Sequence, residues 1–132
     1  MNQRRVVITG MGALTPIGNN LKDFWSNALA GKSGAGEITK FDTSLFKTKF
    51  ACELKDLDLE GHFDRKTIRK NDPFTLYALI ASREAMLQAQ FDLEKVNKDK
   101  FGVIWASGNG GITTFETEVI EYAKGSGEPR FS

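Results

Sequence analysis

Two residue types are nearly missing from this chain: it has one cysteine, Cys52, and one histidine, His62. A single cysteine excludes an internal disulfide and points to a reducing, cytoplasmic setting. A single histidine, in a polar connector with no cysteine or second histidine nearby, gives no metal-ligand pattern and implies no metal. No histidine stands beside a serine or cysteine, and no carboxylate pair sits in a glycine-rich stretch. The residues alone therefore name no reaction. Long apolar runs are missing as well. No stretch approaches the ~18 residues of a membrane helix, and the start, MNQRRVVITG, lacks the apolar core of a signal peptide. Charge of one sign is also lacking: 18 Lys and Arg against 17 Asp and Glu leave a net charge of +1. A general nucleic-acid binder would carry a strong basic excess. Internal repeats and low-complexity tracts are absent.

What is present reads as soluble and globular. At 132 residues, with 40% hydrophobic and 27% charged content, the chain suits one domain. Such a domain, if complete, buries roughly two-thirds of its unfolded surface.

The most informative stretch is DRKTIRKNDPFTLYALIASREAMLQAQF, residues 64–91. Its first part places four cations, Arg65, Lys66, Arg69 and Lys70, within six positions. Asp72 and Pro73 then form a helix start, an N-cap followed by proline where a missing N–H costs nothing. Residues 74–81 are apolar almost all round, which predicts a helix inside the protein. A basic ledge thus leads directly into a buried helix. That arrangement suits docking of an acidic macromolecule; spacing alone equally allows a solvated helix face.

Elsewhere the pattern alternates between strands and helices. Residues 6–9, VVIT, predict a buried parallel strand. Gly10 and Gly12 follow it like the start of a dinucleotide fingerprint. Thr15 and Pro16, however, stand where a third glycine and a helix start are needed. Asn19 or Asn20 caps a predicted helix over residues 21–30, with Leu21, Phe24, Trp25, Ala28 and Leu29 on one stripe and Gly31 as its stop. Residues 49–54 alternate as a half-buried strand with Phe50, Cys52 and Leu54 inward, making Cys52 a packing residue. Residues 101–106, FGVIWA, predict a second fully buried strand, running into Ser107, Gly108, Asn109, Gly110 and Gly111. A glycine cluster at a strand's C-terminal end is where open α/β sheets bind ligands. Residues 112–124 predict a helix with Phe115, Val119, Ile120 and Tyr122 or Ala123 inward. Two strong strands, one weaker strand and three helices give an α/β fold whose sheet cannot be closed by these elements alone.

In order, RRVVITGMGALTPIGNN, FDTSLFKTKFACELKD, DRKTIRKNDPF and FGVIWASGNGG resemble the β-ketoacyl-[acyl carrier protein] synthases, above all the elongating type II bacterial enzymes. The resemblance covers the whole chain. It implies a thiolase-like fold, normally homodimeric, of which residues 1–132 are the N-terminal part, an incomplete first βαβ half. It implies an acyltransferase of fatty-acid synthesis that condenses an enzyme-held acyl thioester with malonyl-carrier protein, with loss of CO₂ and no cofactor. The family's catalytic cysteine and two histidines would lie beyond Ser132, so no catalytic residue is expected here and the 132 residues alone should be inactive. Arg65, Lys66, Arg69 and Lys70, with Arg130, match the carrier-protein docking surface. Gly108, Asn109, Gly110 and Gly111 match the loop bordering the acyl pocket, where Asn109 replaces a frequently apolar residue. A synthase-like subunit that sets chain length without condensing would look the same over these residues. A dinucleotide-binding domain is the remaining alternative.

Overall fold

The computed structural model describes residues 4–125. Four α-helices carry it: α1 (Leu21–Leu29), α2 (Arg65–Lys70), α3 (Pro73–Ala89) and α4 (Ile112–Lys124), with a 3-10 turn at Lys98–Lys100. Two short strands, β1 (Gly36–Glu37) and β2 (Phe50–Ala51), pair antiparallel with Gly36 opposite Ala51 and Glu37 opposite Phe50.

The helices begin and end for local reasons. Asn20 accepts the amide of Asp23 at 2.8 Å and its own amide donates to the Asp23 carboxylate at 2.7 Å, closing the first turn of α1. Gly31, in the left-handed region at φ +66°, ends that helix by donating to Ala28 O. Pro73 opens α3 at its first turn.

Helix α3 is the axis of the molecule. Leu76 and Ile80, 2% and 6% exposed, are the buried apolar residues among those described. The segment from Gly10 to Ala13 crosses this helix at very close range. A Cβ on Gly10 would strike Ala85 O and Ala89 N, and one on Gly12 would strike Ala81 O. Two side chains of α3 lock the crossing. Met11 N donates to Gln88 Oε1 at 2.6 Å, and Ala13 N donates to Glu84 Oε2 at 2.9 Å. The other oxygen of Glu84 accepts Leu21 N at 2.8 Å, so one carboxylate joins the crossing segment to the first turn of α1. Negative charge there also complements the N-terminal end of that helix.

Several expectations are corrected. Residues 6–9 and 101–106 are extended but belong to no ladder, and they are exposed rather than buried: Val6 is 93% and Ile104 99% exposed. A buried parallel strand needs a hydrogen-bonded neighbour and cover on both faces, and among the described residues neither segment has them. In place of the expected parallel or mixed sheet, the described residues form one two-residue antiparallel pairing and an isolated bridge between Thr15 and Gly18. The ribbon formed by β2 has no layer over the face carrying Phe50 and Cys52. Both are exposed, so Cys52 is a free surface thiol and not a packing residue. Helix α3 is only partly interior: Leu79 is exposed, and Phe74 stays partly open although the 108–111 loop lies against its ring. The apolar positions of α4, Phe115, Val119 and Ile120, are exposed as well. A fourth helix, α2, is added where the sequence showed a basic ledge.

Candidate functional site

The cationic ledge is a helix of six residues. Asp64 caps it, its Oδ1 accepting Lys66 N at 2.8 Å and Thr67 N at 2.9 Å, while Thr67 Oγ1 donates to Oδ2 at 2.8 Å. The Thr67 amide and hydroxyl hold the Asp64 carboxyl below its ordinary pKa. Arg69 and Lys70 fall in the last turn, where cations complement the helix dipole.

All four cations face solvent. Arg65 pairs with Glu60, Nε to Oε1 at 3.2 Å, in the open. Lys66, Arg69 and Lys70 have no carboxylate or acceptor partner among the described residues. Such unpaired surface cations are what an acidic partner can neutralise. Arg130 lies outside the described residues.

The glycine loop begins two elements later in the chain yet returns to the same place. Gly111 adopts φ +67° at the start of α4, a left-handed conformation that favours glycine. A Cβ there would stand 2.7 Å from Asp72 Oδ2. A Cβ on Gly110 would stand 2.9 Å from ring atoms of Phe74. Thr114 Oγ1 donates to Asp72 Oδ1. Asp72 is thus the N-cap of α3 by position, but its side chain makes no capping bond and serves α4 instead. The loop therefore abuts the junction between α2 and α3. Gly108 and Asn109 reach outward and are exposed; a Cβ on Gly108 would meet nothing within 4 Å.

Beside this junction lies a cleft of about 490 Å³. Its walls include Gly12, Leu14, Tyr77, Ala78 and Trp105, with Phe74 shared between cleft and loop. None of residues 108–111 lines it.

The first glycines do something other than hold a phosphate. Gly10 and Gly12 are small because α3 passes beneath them, and the amides of Met11 and Ala13 are already occupied by Gln88 and Glu84. A phosphate cradle needs free amides at a helix N-terminus. Glu84 escaped notice in the sequence, where it is one charge among many; only its two partners, 71 and 63 positions away, mark it. His62 is exposed beside Phe63, and among the described residues no three His, Cys, Asp or Glu side chains gather as a metal site.

The sequence model of the family described as "Beta-ketoacyl synthase, N-terminal domain" matches residues 3–130. The chain belongs to the β-ketoacyl synthase family. A 3-oxoacyl-[acyl-carrier-protein] synthase 2 of Staphylococcus aureus (strain COL) is 50% identical over 113 residues, 86% of this chain and 27% of that protein. The Synechocystis synthase of the same name is 39% identical over 118 residues, 89% of this chain and 28% of that protein. The chain thus spans little more than a quarter of the length of these synthases. The solved structure of the ishigamide ketosynthase/chain length factor superposes with a TM-score of 0.72 over 96% of this chain and 31% of that chain, at 27% identity. The backbone of this synthase-family chain therefore follows the course of a chain in that structure, although its two apolar extended segments pair with nothing among the described residues.

Proposed function

We propose that this chain is the N-terminal portion of an elongating β-ketoacyl-[acyl carrier protein] synthase with a thiolase-like fold, cytoplasmic and homodimeric when intact. The intact enzyme joins an acyl thioester to a malonyl thioester with loss of CO₂, using catalytic residues that are not among these 132. The observation that carries this reading is helix α2: a capped, solvent-facing helix with three unpartnered cations, held two residues from the start of α3. The Staphylococcus aureus synthase that is 50% identical over 113 residues is named for its acyl carrier protein. Carrier protein is acidic, so surface cations steer its approach and fix its orientation. Arg65, Lys66, Arg69, Lys70 and Arg130 serve this docking. Gly108, Asn109, Gly110 and Gly111 are assigned to the border of the acyl chain; Asn109 is exposed, and an amide set against an alkyl chain needs its own hydrogen-bond partner.

The test is the double variant Lys66→Glu, Arg69→Glu in the full-length enzyme. Reversing two rim charges should raise KM for carrier-bound substrates about tenfold or more at low salt, with little change for small thioesters. An equal loss on both substrate types would remove the docking role.

A second reading, a synthase-like subunit that sets chain length without condensing, is favoured by one finding: the superposing structure is a ketosynthase with a chain length factor. Condensing activity of the full-length protein on its own decides between the two.

A further inference from the structure

We infer that Asp72 is a positioning residue for the 108–111 loop, and that acyl-length preference depends on its hydrogen bond to Thr114. The inference rests on the proposal that this loop borders the acyl chain. Asp72 occupies the N-cap site of α3, where an aspartate normally accepts amides of its own first turn. Here only its backbone oxygen does so, receiving Thr75 N at 3.0 Å and Leu76 N at 3.3 Å. The carboxylate turns to α4, 42 positions later, accepting the Thr114 hydroxyl through Oδ1 and lying against Gly111 through Oδ2. Its charge stands by the N-terminal turn of α4, which carries no side-chain cap of its own.

Within residues 108–111 the close contacts are therefore at the C-terminal end. Gly110 and Gly111 press on Phe74 and Asp72, while Gly108 and Asn109 are open. Where Asn109 points is fixed by the anchored end. The anchor is in turn continuous with the cationic helix: Asn71, in extended backbone between α2 and Asp72, ties back to Thr67 O at 2.8 Å. Asp72 thus sets the loop's place relative to α2 without touching either a cation of the ledge or Asn109.

The test compares Thr114→Val and Asp72→Ala with the conservative Thr114→Ser and Asp72→Asn, each in the full-length enzyme. Two quantities are read: amide exchange at residues 108–111, and the ratio of kcat/KM for long and short acyl substrates on carrier protein. Loss of the bond should speed exchange and shift the ratio about threefold or more, a change of the size expected for one partly exposed hydrogen bond. KM for carrier protein should stay within about twofold of the parent, since no ledge cation is altered. Thr114→Ser and Asp72→Asn keep a hydroxyl donor and an oxygen acceptor and should restore both readouts. Exchange and ratio unchanged in Thr114→Val and Asp72→Ala overturn the inference. So does faster exchange with an unmoved ratio, which makes the bond structural only, and so do conservative variants that behave like the disruptive ones. The docking proposal fails separately, through an unmoved carrier KM in the Lys66→Glu, Arg69→Glu enzyme.

Discussion

At the scale of single residues, two glycines separate a steric requirement from a loose preference. Gly12 lies on α3 so closely that an added Cβ would collide with Ala81 O and stand 3.0 Å from Ala85 N. Those are backbone atoms inside a helix and cannot rotate away. Gly102 sits in an extended segment where a Cβ would meet nothing within 4 Å. Gly12→Ala should therefore destabilise the full-length protein by about 2–3 kcal/mol or more, the cost of forcing atoms into a packed contact. Gly102→Ala should be neutral to within about 0.5 kcal/mol as judged by this neighbourhood. Denaturant midpoints of the two variants check this, and equal effects would count against the crossing. The sequence showed both as glycines beside β-branched runs, with nothing to tell them apart. Gly10 and Gly12 resembled the opening of a nucleotide turn, which Thr15 and Pro16 already argued against. Glu84 and Asp72 were hidden in the same way, because their work is done on residues far along the chain.

At the scale of elements, legibility followed the range of the interactions. Helices α1, α3 and α4 were readable because their start signals (Asn20, Pro73), glycine stops and apolar runs are local features of the sequence. The extended segments were readable as apolar runs but not as unpaired ones, since a ladder depends on what lies alongside. Cys52 was misjudged for that reason: alternation marks a face, and burial needs something packed on it. The cations of α2 were visible as a cluster, but only the structure shows Arg65 paired with Glu60 and Lys66, Arg69 and Lys70 without a partner among the described residues. Helix α2 is too short to persist on propensity, so its cap governs it. The Asp64 carboxyl is held below its ordinary 3.8 by hydrogen bonds from Thr67 and Lys66. A folded-state pKa below the unfolded one gives stabilisation that is present above the unfolded pKa and lost as pH falls through the folded value. Helix α2 should thus loosen in acid below about pH 3.8, seen as faster amide exchange at Lys66 and Thr67. Asp64→Asn, a neutral residue that still caps, should flatten that dependence. A pH profile identical in the two proteins would mean that another group controls the helix.

At the scale of the whole molecule, the governing quantity is exposed surface. A compact monomer of 14.6 kDa exposes about 6,900 Å² by the usual size scaling. This chain exposes 11,639 Å², roughly 4,700 Å² more. Much of what is open is apolar, and it includes both extended segments: Val6, Val7, Ile8, Val103 and Ile104, together with Phe115 on α4. Apolar patches on soluble monomers rarely exceed a few hundred Å², and unpaired extended backbone offers a template for further pairing. The 132-residue chain alone should therefore self-associate at micromolar concentration and bind an apolar dye such as ANS. Charge placed on the open segments should oppose this, since it discourages edge-to-edge pairing. Val6→Lys with Ile104→Lys should shift sedimentation toward monomer and weaken dye binding by about half or more. In the full-length protein the same two changes should be far more damaging, because the sequence reads both segments as buried strands of a sheet that these elements alone do not close, and there a buried unpaired lysine costs several kcal/mol. Opposite signs in the two contexts are the expected signature. A parent chain that sediments as a monomer, melts cooperatively and ignores the dye would show that the apolar segments are a stable surface in their own right.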